Sequence, residues 1–167
     1  MIVALDVDYR TDRVVTAAVS FAAWTDAAAT HEHARVEMTA PADYEPGSFY
    51  KRELPYLCAI LAELDAPELV VIDGFVSLDA GAPGLGAHLH AALAAQPPIV
   101  GVAKRPWRGG AAGVAIVRGD SHAPLYVTAV GIDVAAAARH VASMHGPHRI
   151  PTLLKRVDRL ARDSDRA

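Results

Sequence analysis

Apolar and polar residues alternate from the first positions of the chain. Ile2, Ala4, Asp6 and Asp8 fall on one side of an extended backbone, and Val3, Leu5 and Val7 on the other. The pattern predicts a strand over residues 2–8 with two carboxylates on one face. After the polar turn Tyr9-Arg10-Thr11-Asp12, the run from Arg13 to Phe21 reads as a second strand, and a third is placed around Ala34–Met38. Strands joined by short turns predict an antiparallel meander. Beyond Pro46-Gly47 the period changes, and Leu57, Ile60, Leu61 and Leu64 recur at helical spacing, with Pro55 suited to the first turn. A strand over 69–73, a glycine-bearing loop through Gly81 and Gly84, and a helix carrying Leu85, Leu89 and Leu93 follow. The continuous apolar run 98–103 fits a strand buried on both faces. Two more strands, 113–118 and 124–128, precede a helix over 133–145, with Asp133 as its N-cap and Gly146 as its stop. A last helix, starting near Pro151-Thr152, would bury Leu153, Leu154, Val157 and Leu160.

A meander followed by strands alternating with helices predicts an α/β fold, a mixed β-sheet with helices on its faces. The ribonuclease-H-like architecture fits this order, with Asp6 on its central first strand. The length, 167 residues, predicts a single domain spanning 1–167 with a sizeable core. No apolar run approaches the roughly 18 residues of a membrane span, and the N-terminus does not read as a signal peptide, since Asp6 and Asp8 interrupt it. The lone Cys58 forms no internal disulfide and reads as a small buried hydrophobe, which suits a reducing cytoplasm.

Net charge, −3, argues weakly against a general nucleic-acid binder, but its distribution is uneven. Residues 1–103 hold 5 Lys/Arg against 14 Asp/Glu, and residues 104–167 hold 11 against 5. An acidic half that supplies metal ligands and a basic half that meets phosphates is one reading. The other is that Lys155, Arg156, Arg159, Arg162 and Arg166 form the solvated face of the last helix.

Four polar residues stand where apolar segments stop: Asp6, Glu53, Asp73 after Leu69-Val70-Val71-Ile72, and Lys104 after Ile99-Val100-Gly101-Val102-Ala103. Three carboxylates and a lysine at such positions can converge on one point. Hard divalent cations take oxygen ligands, usually one or two carboxylates with waters and substrate phosphates, and metal-dependent nucleases organise phosphodiester hydrolysis in this way.

A family resemblance runs through the same residues. Tyr44-x-Pro46-Gly47-x5-Glu53, with Phe49, Arg52 and Pro55, resembles the signature of endonuclease V, as do Asp6-Val7-x-Tyr9 and Val71-Ile72-Asp73-Gly74. Gly84-Leu85-Gly86-Ala87-His88-Leu89, Gly101-Val102-Ala103-Lys104, Pro124-Leu125-Tyr126-Val127 and Ile150-Pro151-Thr152 with Asp158-Arg159-Leu160 continue the match in order. The resemblance implies a ribonuclease-H-like fold and hydrolysis of a phosphodiester near deoxyinosine in DNA or inosine in RNA, with Mg²⁺ or Mn²⁺. By matching position it implies Asp6 and Asp73 as metal ligands, Glu53 as the third carboxylate, and Lys104 facing the phosphate or the attacking water. Tyr44, Pro46, Gly47 and Gly74 would bind substrate, the first three in a wedge loop that holds the strand apart while a base is read. A nucleic-acid partner, a monomer and a cytoplasmic setting are the corresponding expectations.

The chain departs from the family where Asp-Gly-His-Gly becomes Asp73-Gly74-Phe75-Val76 and where a later Gly-His becomes Val130-Gly131. Glu45 replaces an apolar wedge residue. Two histidines expected near the active site are thus absent, and two other readings stay open: a nucleic-acid-binding protein with little or no hydrolysis, and a nuclease redirected to another substrate. His88 and His90 lie on different faces of a helix, and His140, His145 and His148 are too spread for a zinc site. Asp8 reads as a second metal-binding carboxylate or a solvated strand end. His122 reads as a substitute for a missing histidine or a loop residue, and Trp107 as a base-stacking or a packing residue.

Overall fold

The computed structural model describes residues 1–39, 49–108 and 112–164. Seven strands, β1 (Ile2–Tyr9), β2 (Val14–Phe21), β3 (His31–Glu37), β4 (Leu69–Asp73), β5 (Ile99–Ala103), β6 (Val114–Ile116) and β7 (Leu125–Val130), form one sheet in the order β3-β2-β1-β4-β5-β7-β6. The meander is as expected: β1 and β2 pair antiparallel, Asp6 opposite Ala17, and β2 pairs antiparallel with β3. Strands β1, β4 and β5 run parallel, and β7 and β6 return antiparallel. This is the mixed α/β sheet of the ribonuclease-H-like class. The third strand starts at His31, earlier than its weak alternation suggested, because Ser20 pairs back to His31 across the β2–β3 turn.

The period-2 alternation of β1 sorts its side chains between two cores. Ile2 and Ala4 join Val71, Val102 and Leu125 under α3 (Val134–Ser143) and α4 (Thr152–Asp163). Val3 and Leu5 join Val70, Ile72 and Ile99 under α1 (Phe49–Leu61) and α2 (Leu85–Ala92). Strands β2 and β5 are buried along their whole length, as a sheet covered on both faces requires.

The start of α1 corrects the sequence reading. Pro55 lies inside the helix and not in its first turn, because the helix already begins at Phe49. Glu53 therefore sits within α1 rather than ahead of it. Proline lacks the N–H that would reach the carbonyl of residue 51, and the helix carries that gap in its interior. The other helices match expectation: the Asp133 carboxylate accepts from the Ala136 N–H as N-cap of α3, and Gly146 takes φ +110° just past its end. The segments after β4 and at the α3–α4 junction are fixed by side chains. Thr128 Oγ1 on β7 accepts a 2.8 Å bond from the Val76 N–H, tying down the loop that follows Asp73. Arg118, only 6% exposed, donates to the carbonyls of Ala142, Met144, Gly146, His148 and Arg149 and so shapes the α3–α4 connector.

Candidate active site

The carboxyl ends of the parallel strands are where open α/β sheets place ligands, and there the chain brings its candidate residues together. Asp6 lies near the end of β1, Asp73 ends β4, and Lys104 follows β5. Glu53 reaches the same place from α1, and Asp6, Glu53 and Asp73 line one small recess with Leu5, Ile72 and Leu85. Lys104 Nζ donates to Asp73 Oδ2 at 2.6 Å and stands 3.9 Å from Asp158 Oδ1 on α4. Gly74 occupies φ +136°, a conformation a side chain would strain, and it turns the backbone directly after Asp73.

Charge is unbalanced here. Burial, with Asp73 and Asp158 beside it, pushes the Asp6 carboxyl up to about 7, against the opposing pull of Lys104. Glu53, 8% exposed, is pushed up to about 8 by burial and by the fields of Asp6 and Asp73, against Arg52. Burial depresses the Lys104 ammonium, but its bond to Asp73 and the fields of Asp73, Asp6 and Asp158 outweigh this and raise it. Among the described residues, the Lys104 ammonium feels three carboxylates, Asp73, Asp6 and Asp158. The donor set is all oxygen, the set a hard divalent cation takes. Among the described residues no three His, Cys, Asp or Glu side chains are grouped so as to hold a metal ion as they lie, and Asp73 is bonded to Lys104. In chemistry the residues fit the ion; in arrangement Asp73 is turned to Lys104.

Two residues that sequence reasoning left without a role belong to this region. Asp158 was visible only as part of the C-terminal motif, and α4 brings it across the sheet to Lys104 and Asp6. Tyr9 holds α1 in place: its hydroxyl donates to the Arg52 carbonyl at 3.3 Å, and the Arg52 guanidinium lies 3.9 Å over its ring. That clasp sits one residue from Glu53. The Asp6-Val7-x-Tyr9 string was the available signal.

Other expectations resolve differently. Asp8 is paired with Arg10 at 2.9 Å, and Arg10 also caps the end of α4 at the Ala161 and Arg162 carbonyls, so Asp8 ties strand to helix. Trp107 donates from its indole to Asp79 at 2.9 Å and meets Phe75 edge-on, a packing role. His88 stacks on Tyr50, His140 on Trp24, and His90 binds the Pro97 carbonyl, while His122 is exposed. Tyr44, Pro46, Gly47 and Glu45 lie outside the described residues. On the other side of Asp6 and Asp73 opens a cleft of about 370 Å³ between β4, β5 and α4.

The comparisons agree with this architecture. The endonuclease V of Streptomyces avermitilis is 28% identical, with a TM-score of 0.73 over 98% of this chain and 80% of that one. Ciona intestinalis endonuclease V, solved with a 24mer DNA containing an inosine followed by a ribo-adenosine, superposes with a TM-score of 0.79 at 17% identity, over 98% and 84%. The catalytic domain of human endonuclease V gives 0.75 at 21%, over 99% and 82%. No curated protein sequence matches the chain. The endonuclease V family model matches residues 1–113, more than half of the length. With its sheet, its strand-end carboxylates and this match in hand, the chain belongs to the endonuclease V family of nucleases.

Proposed function

We propose that this protein is a divalent-metal-dependent endonuclease that hydrolyses a phosphodiester near deoxyinosine or inosine in a nucleic-acid strand. The observation that carries this is the convergence of Asp6, Glu53 and Asp73 on one recess, with Lys104 at Asp73. Uncompensated carboxylates gathered at strand ends cost stability unless a cation joins them. Asp6, Asp73 and Glu53 would hold Mg²⁺ or Mn²⁺, which when bound supplies positive charge against the scissile phosphate. Lys104, released from Asp73, turns its ammonium to a phosphate oxygen or orients the attacking water. Glu53, 8% exposed, is the third of these carboxylates and comes to them from α1. Gly74 lets the backbone approach the substrate without a side chain in the way.

A specific observation favours a second reading, a strand-binding protein without chemistry. Position 75 holds a phenylalanine packed on Trp107 where the resembled motif has histidine, and Lys104 already neutralises Asp73. Single-stranded DNA and RNA with and without one inosine, incubated in Mg²⁺ or Mn²⁺ beside Asp73→Ala, separate the two. Inosine-dependent cutting lost in Asp73→Ala supports the enzyme. Inosine-selective binding without cutting in either ion supports the reader instead.

A further inference from the structure

The cleft beside the carboxylates differs in character from the carboxylate recess itself. Its floor is aliphatic, built by Val71 and Val102 of the sheet with Leu125, Ile150 and Leu154. Its rim is charged: Asp6, Asp73 and Lys104 on the sheet side, and Lys155, Asp158 and Arg162 on α4. Water would find few partners on such a floor, whereas about 370 Å³ is the size of a small-molecule pocket. The rim selects among apolar occupants. Lys155 and Arg162 are exposed, and seven residues of helix set them about 10 Å apart along the axis. Arg162 reaches Asp158 at 2.8 Å, and Lys155 has no ion-pair partner among the described residues. An occupant with a flat apolar body and an anion on each side matches this layout.

We infer that the cleft between β4, β5 and α4 is a subsite for one nucleoside of the substrate strand, next to the scissile phosphate, with Lys155 and Arg162 holding its flanking phosphates. The inference rests on the proposed nuclease reading and adds to it a second recognised nucleoside, apart from the inosine. The base lies between aliphatic side chains, so contact is with its faces and tolerates sequence. The two sites share Asp6 and Asp73, so a nucleoside seated in the cleft fixes the register of the strand over the carboxylates.

The test is fluorescence anisotropy with a labelled single-stranded inosine oligonucleotide in which each other nucleotide in turn is made abasic. One position is expected to weaken binding about tenfold, the scale of one lost base contact. Leu154→Trp, which fills the cleft, is expected to bind the intact strand about as weakly and to become indifferent to that abasic position. Lys155→Ala and Arg162→Ala are each expected to lower the slope of log affinity against log salt by about 0.7. These exposed changes decide the matter if Leu154→Trp does not fold. Inosine-selective binding that tolerates every abasic substitution, or unchanged slopes in both lysine and arginine variants, overturns the inference and leaves the nuclease reading standing. Failure to bind any inosine strand overturns both.

Discussion

At the residue scale the site is marked by the pairing of Lys104 with Asp73. The Lys104–Asp73 pair is about 40% exposed on each side, so solvent screens it and Lys104→Met is expected to cost less than about 1 kcal/mol of stability. The same change is expected to lower kcat about 100-fold, since the ammonium bonded to Asp73 is lost. Thermal melts beside single-turnover cleavage check both halves. Asp6 and Glu53 give a pH signature of the metal-free protein. Each binds its proton more tightly folded than unfolded, so its stabilising contribution is complete below the ordinary carboxylate range, near 4. That contribution is lost as pH rises through about 7 for Asp6 and about 8 for Glu53. In a chelator, Tm is therefore expected to fall between pH 5 and pH 9, and Mg²⁺ or Mn²⁺ to restore it most at the alkaline end. Asp6→Asn is expected to flatten the chelator profile; a profile as steep as wild type would exclude Asp6 as its source.

At the element scale, the parts around the carboxylates are held by residues outside the site. Arg118 gathers five carbonyls, one from the last turn of α3 and four from the α3–α4 connector, and Arg149 in that connector donates to the Lys104 and Pro124 carbonyls. The connector thereby joins the β5 end to α4. Arg118→Met leaves these carbonyls without their donor and is expected to cost on the order of 3 kcal/mol, measured by denaturant unfolding. Chain pattern announced most of these elements, because burial on one or both faces of a strand leaves a period that can be read. It misplaced the start of α1, because proline is also tolerated inside a helix anchored by other contacts. Tyr9 and Arg52 supply one such anchor, and no local pattern in residues 49–55 reports it.

At the scale of the whole molecule, close approach of distant segments sets the geometry. A Cβ on Gly101 of β5 would stand 2.5 Å from the Gly74 carbonyl and 2.8 Å from Thr128 Oγ1. Gly101→Ala is expected to push the post-Asp73 loop off the sheet, costing about 1–3 kcal/mol and lowering cleavage more than binding. Urea melts and paired kcat and KM values test this. The sequence by itself determined the mixed sheet, the placement of Asp6 on its first strand, Asp73 at the end of β4 and Lys104 after β5, and the kinship carried by their motifs, because these depend on residues close together in the chain. Only the tertiary structure decided that Asp158 stands by Lys104, that Asp8 belongs to Arg10 and that Trp107 belongs to Asp79. It also decided that a cleft opens under α4. The physical reason is that Asp158, Trp107, the cleft and the seat of Arg10 on the end of α4 follow from where α4 or a loop packs across the sheet, and packing over long separations leaves no periodic trace in the chain.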